Sequence, residues 1–493
     1  MPLLTILVAL PALGGLLLLT VPGLRARARE FALGVTVLEL AGVVALLVGF
    51  DLSAAGDIQF AETYAWIPQI GASWALGVNG IGLSLIVLAA VLTPLVLVAG
   101  WKLPDEPARA ARYVGLILVS QAFMVGIFAA RDVLLFYVLF EAMLIPLYFL
   151  IGSFGGEQRR YAAVKFLIYS LAGGLIMLVA VVALYFVGPG GEQAFLIDSL
   201  TGLELAPVTE RLLFVAFFIA FAIKAPMVPV HTWLPTVAEN ARAGTTALLV
   251  AVLDKIGTFG MITLCLVLFP NASRWAAPVV VGFAVLSVIY GALLAIGQDN
   301  MLRLVSFTSV SHFGIMILGI FAFQQTSVEG AALYMFNHGL STAGLFLLVG
   351  FLIERHGTPS VTAYGGLQKA VPVLAGTFLI VGLSALSLPG LSPFVSEIMV
   401  LVGAWSAVPV AVIISVLGVV LAALYILLMY QKLFTGPTPE AMAGTAELSL
   451  RERVAIWPLI ALMLLLGFVP ALAIQYLTEP VAAVLAIAQG VGA

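Results

Sequence analysis

Charge is what this chain lacks most. Of its 493 residues only 9% are Asp, Glu, Lys or Arg, while 63% are hydrophobic. A soluble domain carries closer to about a quarter charged residues. That gap excludes a soluble enzyme, a nucleic-acid binder and a disordered chain. The 21 basic and 24 acidic residues leave a net charge of −3, so there is no polybasic surface for DNA or RNA. Cysteine is nearly absent: Cys265 stands alone. No internal disulfide, thiolate-held iron–sulfur cluster, Cys-x-x-Cys-His haem attachment or zinc knuckle can be built from it. The four histidines are His231, His312, His338 and His356. There is no glycine-rich phosphate loop, no low-complexity tract and no loop long enough to fold as a domain of its own. Whatever chemistry the chain performs uses few polar groups.

What is present is a succession of apolar runs. Each crossing of a bilayer needs about 20 apolar residues. Fourteen segments satisfy this: about 2–21, 31–50, 76–100, 113–130, 133–152, 163–187, 211–229, 243–269, 276–296, 303–323, 329–352, 371–405, 409–430 and 453–478. The fold class is therefore an all-α polytopic membrane protein of about 14 transmembrane helices, one membrane domain over residues 1–493. The twelfth segment is too long for one straight helix and contains Pro389, Gly390 and Pro393; the seventh carries Pro226 and Pro229. Proline removes a backbone donor and clashes with the preceding turn, so both helices are read as broken. Breaks five segments apart suggest two five-helix repeats, over 113–269 and 276–430, which an odd helix number makes inverted. Three helices in 1–100 precede them, and the helix at 453–478 follows. The connections at 51–75, 188–210 and 431–452 read as short and irregular.

The basic residues test this count. Arg131, Arg211 and Arg274 fall on one side, Lys224 and Lys255 lie within segments, and the other sixteen of the 21 fall on the opposite side. Positive loops face the cytoplasm, which puts both termini outside. Arg25, Arg27 and Arg29 follow the first apolar run instead of preceding it, the wrong order for a cleavable signal peptide. Ala, Gly, Leu and Val dominate and Lys is scarce beside Arg, which points to a GC-rich bacterium and its plasma membrane.

Six ionisable residues sit near the middle of their segments: Glu141, Lys224, Lys255, His312, His338 and Glu397. A charge at the bilayer centre costs at least ~2.5–3.5 kcal/mol, so such residues are rare and usually functional. Burial raises the pKa of a carboxylic acid and lowers that of an amine, bringing both toward neutrality, where exchange of a proton is cheap. Lysine serves where arginine, which cannot usefully deprotonate, does not. Two carboxylates, two amines and two imidazoles are the parts of a proton path. Other readings of the same residues stand beside this one. A membrane histidine also serves as a helix–helix hydrogen bond, and His312 with His338 is a conceivable pair of axial ligands for a b-type haem. Asp254 adjoins Lys255, but helical neighbours point about 100° apart and need not pair. Arg131–Asp132 reads as an interfacial cap. A stand-alone solute transporter would need hydrogen-bonding and aromatic groups at the breaks, where only ionisable and small residues are found; a scaffold has no use for two buried lysines.

Taken together, the segment around Glu141, AIKAPMVPVHTWLP with Lys224, DKIGTFG with Lys255, LVSFTSVSHFG with His312, FNHGLSTAGLFLLVG with His338 and LPGLSPFVSEIMVLVG with Glu397 resemble the antiporter-like membrane subunits of respiratory complex I, NADH-quinone oxidoreductase. Those subunits are themselves similar to subunits of multisubunit Na⁺/H⁺ antiporters and of related hydrogenase complexes. The resemblance runs from about residue 76 to 435. Glutamate at 397 is similar to the M-type branch, whereas the L-type, the N-type and the antiporter homologue typically carry lysine there. A chain ending soon after its fourteenth segment fits the same branch. Asn79, Leu302, Pro393, Ser396 and Asp254 depart from the family pattern; where Asp254 stands, an apolar residue is usual.

The resemblance implies a proton-translocating subunit. Glu141 would pair with Lys224 in a first half-channel, Lys255 would be the central relay, and His312 and His338 would lead to Glu397, the terminal exchange residue. Energy would come from quinone reduction in other subunits. This chain would hold no cofactor or metal, while FMN, iron–sulfur clusters and quinone would belong to partner subunits. Neighbouring antiporter-like subunits and lipids would be its partners, and nucleic acid would not.

Overall fold

The computed structural model describes residues 2–102 and 106–490; residues 1, 103–105 and 491–493 of the expected 1–493 domain lie outside the described residues. Helices dominate because long apolar runs in a medium without water must satisfy their backbone groups internally. In chain order they are α1 (Leu3–Thr20), α2 (Ala28–Val48), α3 (Gly80–Ala99), α4 (Pro107–Ala129), α5 (Val133–Ala142), α6 (Leu144–Phe154), α7 (Arg159–Val187), α8 (Pro207–Lys224) and α9 (Trp233–Asn240). They continue as α10 (Ala243–Leu268), α11 (Pro270–Ile296), α12 (Met301–Phe321), α13 (Gln325–His356), α14 (Pro372–Ala385), α15 (Ser392–Ala404), α16 (Pro409–Phe434), α17 (Leu450–Phe468) and α18 (Thr478–Gln489). Five of them have proline as their first residue, where no backbone donor is needed: Pro107, Pro207, Pro270, Pro372 and Pro409. Among the described residues, eleven helices are long and apolar enough to cross a membrane by themselves.

Three features depart from the sequence reading. The connection at 51–75 is not irregular: Gln59–Ile67 (β1) and Ala72–Val78 (β2) pair as an antiparallel hairpin. Alternating polar and apolar residues over a short run form a strand, and this one was hidden beside long apolar segments. The hairpin is tied to the helices by buried carboxylates. Glu62 accepts from the Leu4 and Thr5 amides at 2.8 and 3.1 Å, satisfying donors that the first turn of α1 leaves open. Asp132 accepts from the Ser73 and Leu135 amides, both at 2.9 Å, so it caps α5 and anchors β2 together. Second, the segment at 243–269 is helical but not regular: π-helical turns at Leu249–Leu253 and Met261–Cys265 flank Lys255–Gly260. Third, the last predicted helix starts at Leu450 and ends at Phe468; the residues near 478 begin the separate short helix α18.

Contacts between connections sort them into two ends. At one end lie the hairpin, Arg131 bonded to Asp198 at 2.5 Å, Glu210 accepting from the Asn271 and Ala272 amides, and Gln325 donating to the Thr478 carbonyl. At the other, Gly156 donates to Asn240, Met301 to Pro359 and Gly366 to Thr435 through the backbone. This second end holds the basic loops. There Asp299 bridges to Ser360 and Thr362, whose hydroxyl and amide hold its carboxyl below the ordinary aspartate range. Arg355 grips Glu452 through two hydrogen bonds of 2.9 and 2.7 Å, and Glu452 also completes a capping box with Ser449 at the start of α17.

Burial divides the helices by role. Every residue in the most apolar window of α12 is buried, and 94% and 89% in those of α10 and α13, against 33–44% for α1, α2, α7, α11 and α16. The first set forms the interior and the second faces outward. Lys255, His312 and His338 sit on the three interior helices.

The Arg355–Glu452 pair is the strongest polar tie at the basic end. Glu452→Ala leaves the guanidinium without its carboxylate and opens the capping box, and is expected to cost ~3–5 kcal/mol. Thermal unfolding in detergent checks this; an unchanged midpoint would remove the pair from the account of the fold.

Candidate functional site

Glu141 lies in the last turn of α5, where Pro146 lies about one turn ahead. Proline offers no amide to the Ala142 carbonyl and crowds it, so the helix is interrupted at Met143 and resumes as α6. The Glu141 side chain crosses to α7 and lies against Gly174, whose missing side chain makes the space: a Cβ there would fall on the carboxylate. Glu141 is only partly buried, with Oε1 enclosed and unpartnered.

Lys224 is the last residue of α8, where the helix stops before Pro226 and Pro229. Several groups that the break releases find partners. Ala225 donates to Phe221 O at 2.7 Å, Met227 to Ala222 O at 2.9 Å, the Trp233 indole to Ile223 O at 2.9 Å, and Val228 to Ser287 Oγ at 3.0 Å. The C-terminal end of a helix favours a cation. The Lys224 ammonium donates to Ser170 Oγ at 3.2 Å and lies over the Phe140 and Phe166 rings at 5.1 and 5.0 Å. The expected direct Glu141–Lys224 ion pair is not formed: among the described residues it is absent from the ion pairs within 4.0 Å. Ser170 and the aromatic rings occupy the ammonium's immediate surroundings.

Lys255 lies in the regular turn between the two π-helical stretches of α10, a distortion often found at functional sites. Its Nζ is bonded to the Val250 carbonyl and to His338 Nδ1, each at 2.7 Å, and lies 4.8 Å from the Phe313 ring centroid. When the ammonium donates to Nδ1, neutral His338 carries its proton on Nε2 and donates it to Thr342 Oγ1, 3.0 Å away. Both ring nitrogens of His338 are thereby engaged, which leaves none for an axial haem ligand.

The His312 ring meets His338 edge to face, centroids 5.2 Å apart. His312 Nε2 bonds the Tyr425 hydroxyl at 3.2 Å and its ring packs on Tyr334 at 5.8 Å. Tyr334 in turn donates to Glu397 Oε2 at 2.8 Å, and Ser387 donates to the same oxygen. Glu397 is held beside the second break, between α14 and α15, where Ser387 has positive φ and Asn337 donates to the Ser392 carbonyl at 2.8 Å. The open carbonyls at the end of α14 are taken by the amides that follow it: Leu386 donates to Gly382 O, Leu388 to Leu383 O and Ser387 to Ser384 O, at 3.1, 3.0 and 3.0 Å.

The structure thus brings Lys255, His338 and His312 into one contact series and joins Glu397 to it through Tyr334. Lys224 and Glu141 lie beyond Lys255 on the first side. His231 and His356 are elsewhere, packed on Tyr290 and Tyr364. Sequence reasoning missed Ser170, Thr342, Tyr334, Tyr425 and Ser387. Tyr334 had a usable signal, since it precedes His338 by four residues and shares its helix face. The others are hydroxyls among many, selected only by packing. Asp254, set aside from the sequence, is completely buried, and neither carboxylate oxygen has a hydrogen-bond partner.

The fold and the site define a polytopic helical membrane protein with a buried line of ionisable side chains between two broken helices. A family model described as "NADH:quinone oxidoreductase/Mrp antiporter, TM" matches residues 130–424, and the chain belongs to that family. NADH-quinone oxidoreductase subunit M of Mycobacterium tuberculosis is 44% identical over 505 residues, covering 95% of this chain and 91% of that one. The protein of the same name from Rhodobacter capsulatus is 36% identical over 471 residues, covering 94% and 91%. A chain of respiratory complex I from Thermus thermophilus with bound NADH superposes with a TM-score of 0.90 at 30% identity, over 100% of both chains. A chain of the Mrp complex from Dietzia shares the fold, with a TM-score of 0.85 at 22% identity over 98% and 97%.

Gly174→Ala tests whether α7 makes room for Glu141. Alanine suits a helix better than glycine by ~1 kcal/mol, yet here overpacking is expected to destabilise by ~1–3 kcal/mol. Adding Glu141→Ala should restore the loss in detergent melts. A Gly174→Ala protein as stable as the parent would show that the carboxylate does not occupy that space.

Proposed function

We propose that this chain is the M-type proton-translocating membrane subunit of an NADH-quinone oxidoreductase, embedded in a bacterial plasma membrane. The observation that carries the reading is the 2.7 Å contact between Lys255 Nζ and His338 Nδ1, buried at the crossing of α10 and α13. An amine and an imidazole in hydrogen-bond contact exchange a proton by moving it along that bond, without a change of fold. The line continues on both sides. His312, Tyr425 and Tyr334 lead to Glu397, the terminal exchange group, and Lys224 with Glu141 forms the opposite arm. Glu141, partly open at the outer surface of the helices, is placed to sense a neighbouring antiporter-like subunit.

In this reading α4 to α10 and α11 to α16 form two inverted five-helix repeats among about fourteen crossings, each repeat contributing one broken helix. The basic end faces the cytoplasm and both termini face outward, because positive loops are retained inside. FMN, iron–sulfur clusters and quinone reside in partner subunits, and quinone reduction there shifts the Glu141–Lys224 electrostatics. No redox centre is assigned to this chain. A Na⁺/H⁺ antiporter subunit is the competing assignment, and co-purification separates the two. Extracted in mild detergent, the chain is expected to bring iron–sulfur and flavin subunits with NADH:quinone activity; small membrane subunits without redox centres would overturn the proposal.

Lys224→Ala and Lys255→Ala are expected to leave the complex assembled and quinone reduction measurable, while the transfer step each lysine serves slows by about a hundredfold or more. Proton uptake per quinone reduced, measured in proteoliposomes, checks both. Normal uptake in Lys255→Ala would remove the central relay, and normal uptake in Lys224→Ala the first arm.

A further inference from the structure

The hairpin end of the molecule carries few positive charges, and two of them lack an anion. Of the three loop arginines on that side, Arg131 is bonded to Asp198 at 2.5 Å. The other two, Arg211 on α8 and Arg274 on α11, have no carboxylate within 4.0 Å among the described residues. Arg211 lies over the Trp275 ring at 4.8 Å, and Arg274 donates to the Asn271 side chain at 2.6 Å. All three of Arg211, Arg274 and Trp275 are exposed. The carboxylate that precedes Arg211, Glu210, is buried and turned onto the Asn271 and Ala272 amides. Counting it, the group keeps an excess of one positive charge. An exposed tryptophan at the end of a membrane helix marks the level of the lipid headgroups.

Next to Arg274 the surface is hollow. A groove of about 680 Å³ opens between α11 and α16. On α11 its lining residues recur every three or four positions, Arg274, Pro278, Gly282 and Val285 among them, and so share one face of the helix. Val410 lines it from α16, and buried Phe321 lies at its back. Apart from Arg274 every lining residue is apolar. A Cβ on Gly282 would meet no atom within 4 Å, so the groove is open at its middle. From Arg274 to Val285 the helix rises about 16 Å. The hydrocarbon of one leaflet is about 15 Å deep, half of a bilayer core.

We propose that this groove binds an anionic phospholipid of the leaflet at the hairpin end. Its phosphate sits at Arg274, with Arg211 over the Trp275 ring as the second cation, and one acyl chain lies along α11 toward Val285. Charge, length and depth each match. An arginine at a membrane surface attracts an anionic headgroup. A zwitterionic headgroup brings its own cation and leaves the excess charge in place; an anionic one removes it. The acyl chain fills a space that neither α11 nor α16 fills. The site requires only that the chain be embedded in a bilayer, and it is independent of the proton line.

The test attaches a photoreactive group beside the groove. Val410, exposed at its edge, is replaced by p-benzoylphenylalanine in the intact complex, held in nanodiscs of phosphatidylcholine with a minority of phosphatidylglycerol. After illumination, mass spectrometry of the labelled peptide reads which lipid is attached. The phosphatidylglycerol share is expected to exceed its share of the nanodisc by about fivefold for each arginine. Arg211→Gln combined with Arg274→Gln should return it to the bulk share. Gly282→Leu, which fills the groove and leaves both arginines, should do the same. A bulk share in the parent overturns the proposal, as does an excess that survives loss of the arginines or filling of the groove. Attachment to a neighbouring subunit instead of lipid also overturns it, because the groove is then a protein interface. If the arginine variant does not assemble, Gly282→Leu decides alone: a return to the bulk share supports the site, and an unchanged excess refutes it.

Discussion

A broken helix in an apolar layer survives only if every backbone group it releases finds a partner, and the rest of this structure is arranged around meeting that demand twice. At the first break amides of the break turn back onto carbonyls of the preceding turn, and further partners are the Trp233 indole and Ser287 on α11; the prolines have no donor to satisfy. At the second, the amides of Leu386, Ser387 and Leu388 turn back onto the last carbonyls of α14. Each break then places an ionisable group where a regular helix would expose none: Lys224 at the end of α8, and Glu397 in the second turn of α15 beside Ser387. The breaks and the charges are one arrangement. A helix end supplies a field, and the residue at that end uses it.

Between the breaks the site is assembled by crossing helices. Lys255, His338 and His312 belong to α10, α13 and α12, the three most enclosed helices, so the series runs where water and lipid are farthest away. Low surrounding polarity strengthens each charge–charge and hydrogen-bond interaction. It also makes the loss of any partner costly, which accounts for how thoroughly His338 is engaged on both ring nitrogens. The outer helices α1, α2, α7, α11 and α16 insulate this interior. Glu141 is the exception, only partly buried where its side chain crosses from α5 to α7.

Much of this was legible in the residues. The apolar runs announced helices because a span has a minimum length, and the two breaks were legible as Pro226 with Pro229 and Pro389 with Pro393. The six midplane residues stood out because charge there is expensive. What misled was local. The β1–β2 hairpin was read as irregular, since a short alternating pattern is easily overlooked among long apolar segments. Glu141 and Lys224 were expected in direct contact because opposite charges were the only partners visible; Ser170 and two phenylalanine rings, supplied by α5 and α7, took the place beside the ammonium. Asp254 was set aside because neighbours on a helix diverge, a rule that says nothing about burial, and the fold encloses it completely.

By itself the sequence determined which segments enter the apolar layer, which loops lie on the same side, where two helices must break and which residues carry charge into the interior. Those outcomes follow from the free energies of single residues and short runs in water and in hydrocarbon, quantities that composition and spacing express directly. The tertiary structure alone decided contacts: that Lys255 meets His338, that Tyr334 carries the line to Glu397, and that α10 unwinds on both sides of its lysine. Pairing across helices depends on packing, on where a glycine such as Gly174 or Gly257 lets two backbones or a carboxylate approach, and that information is spread over the whole chain.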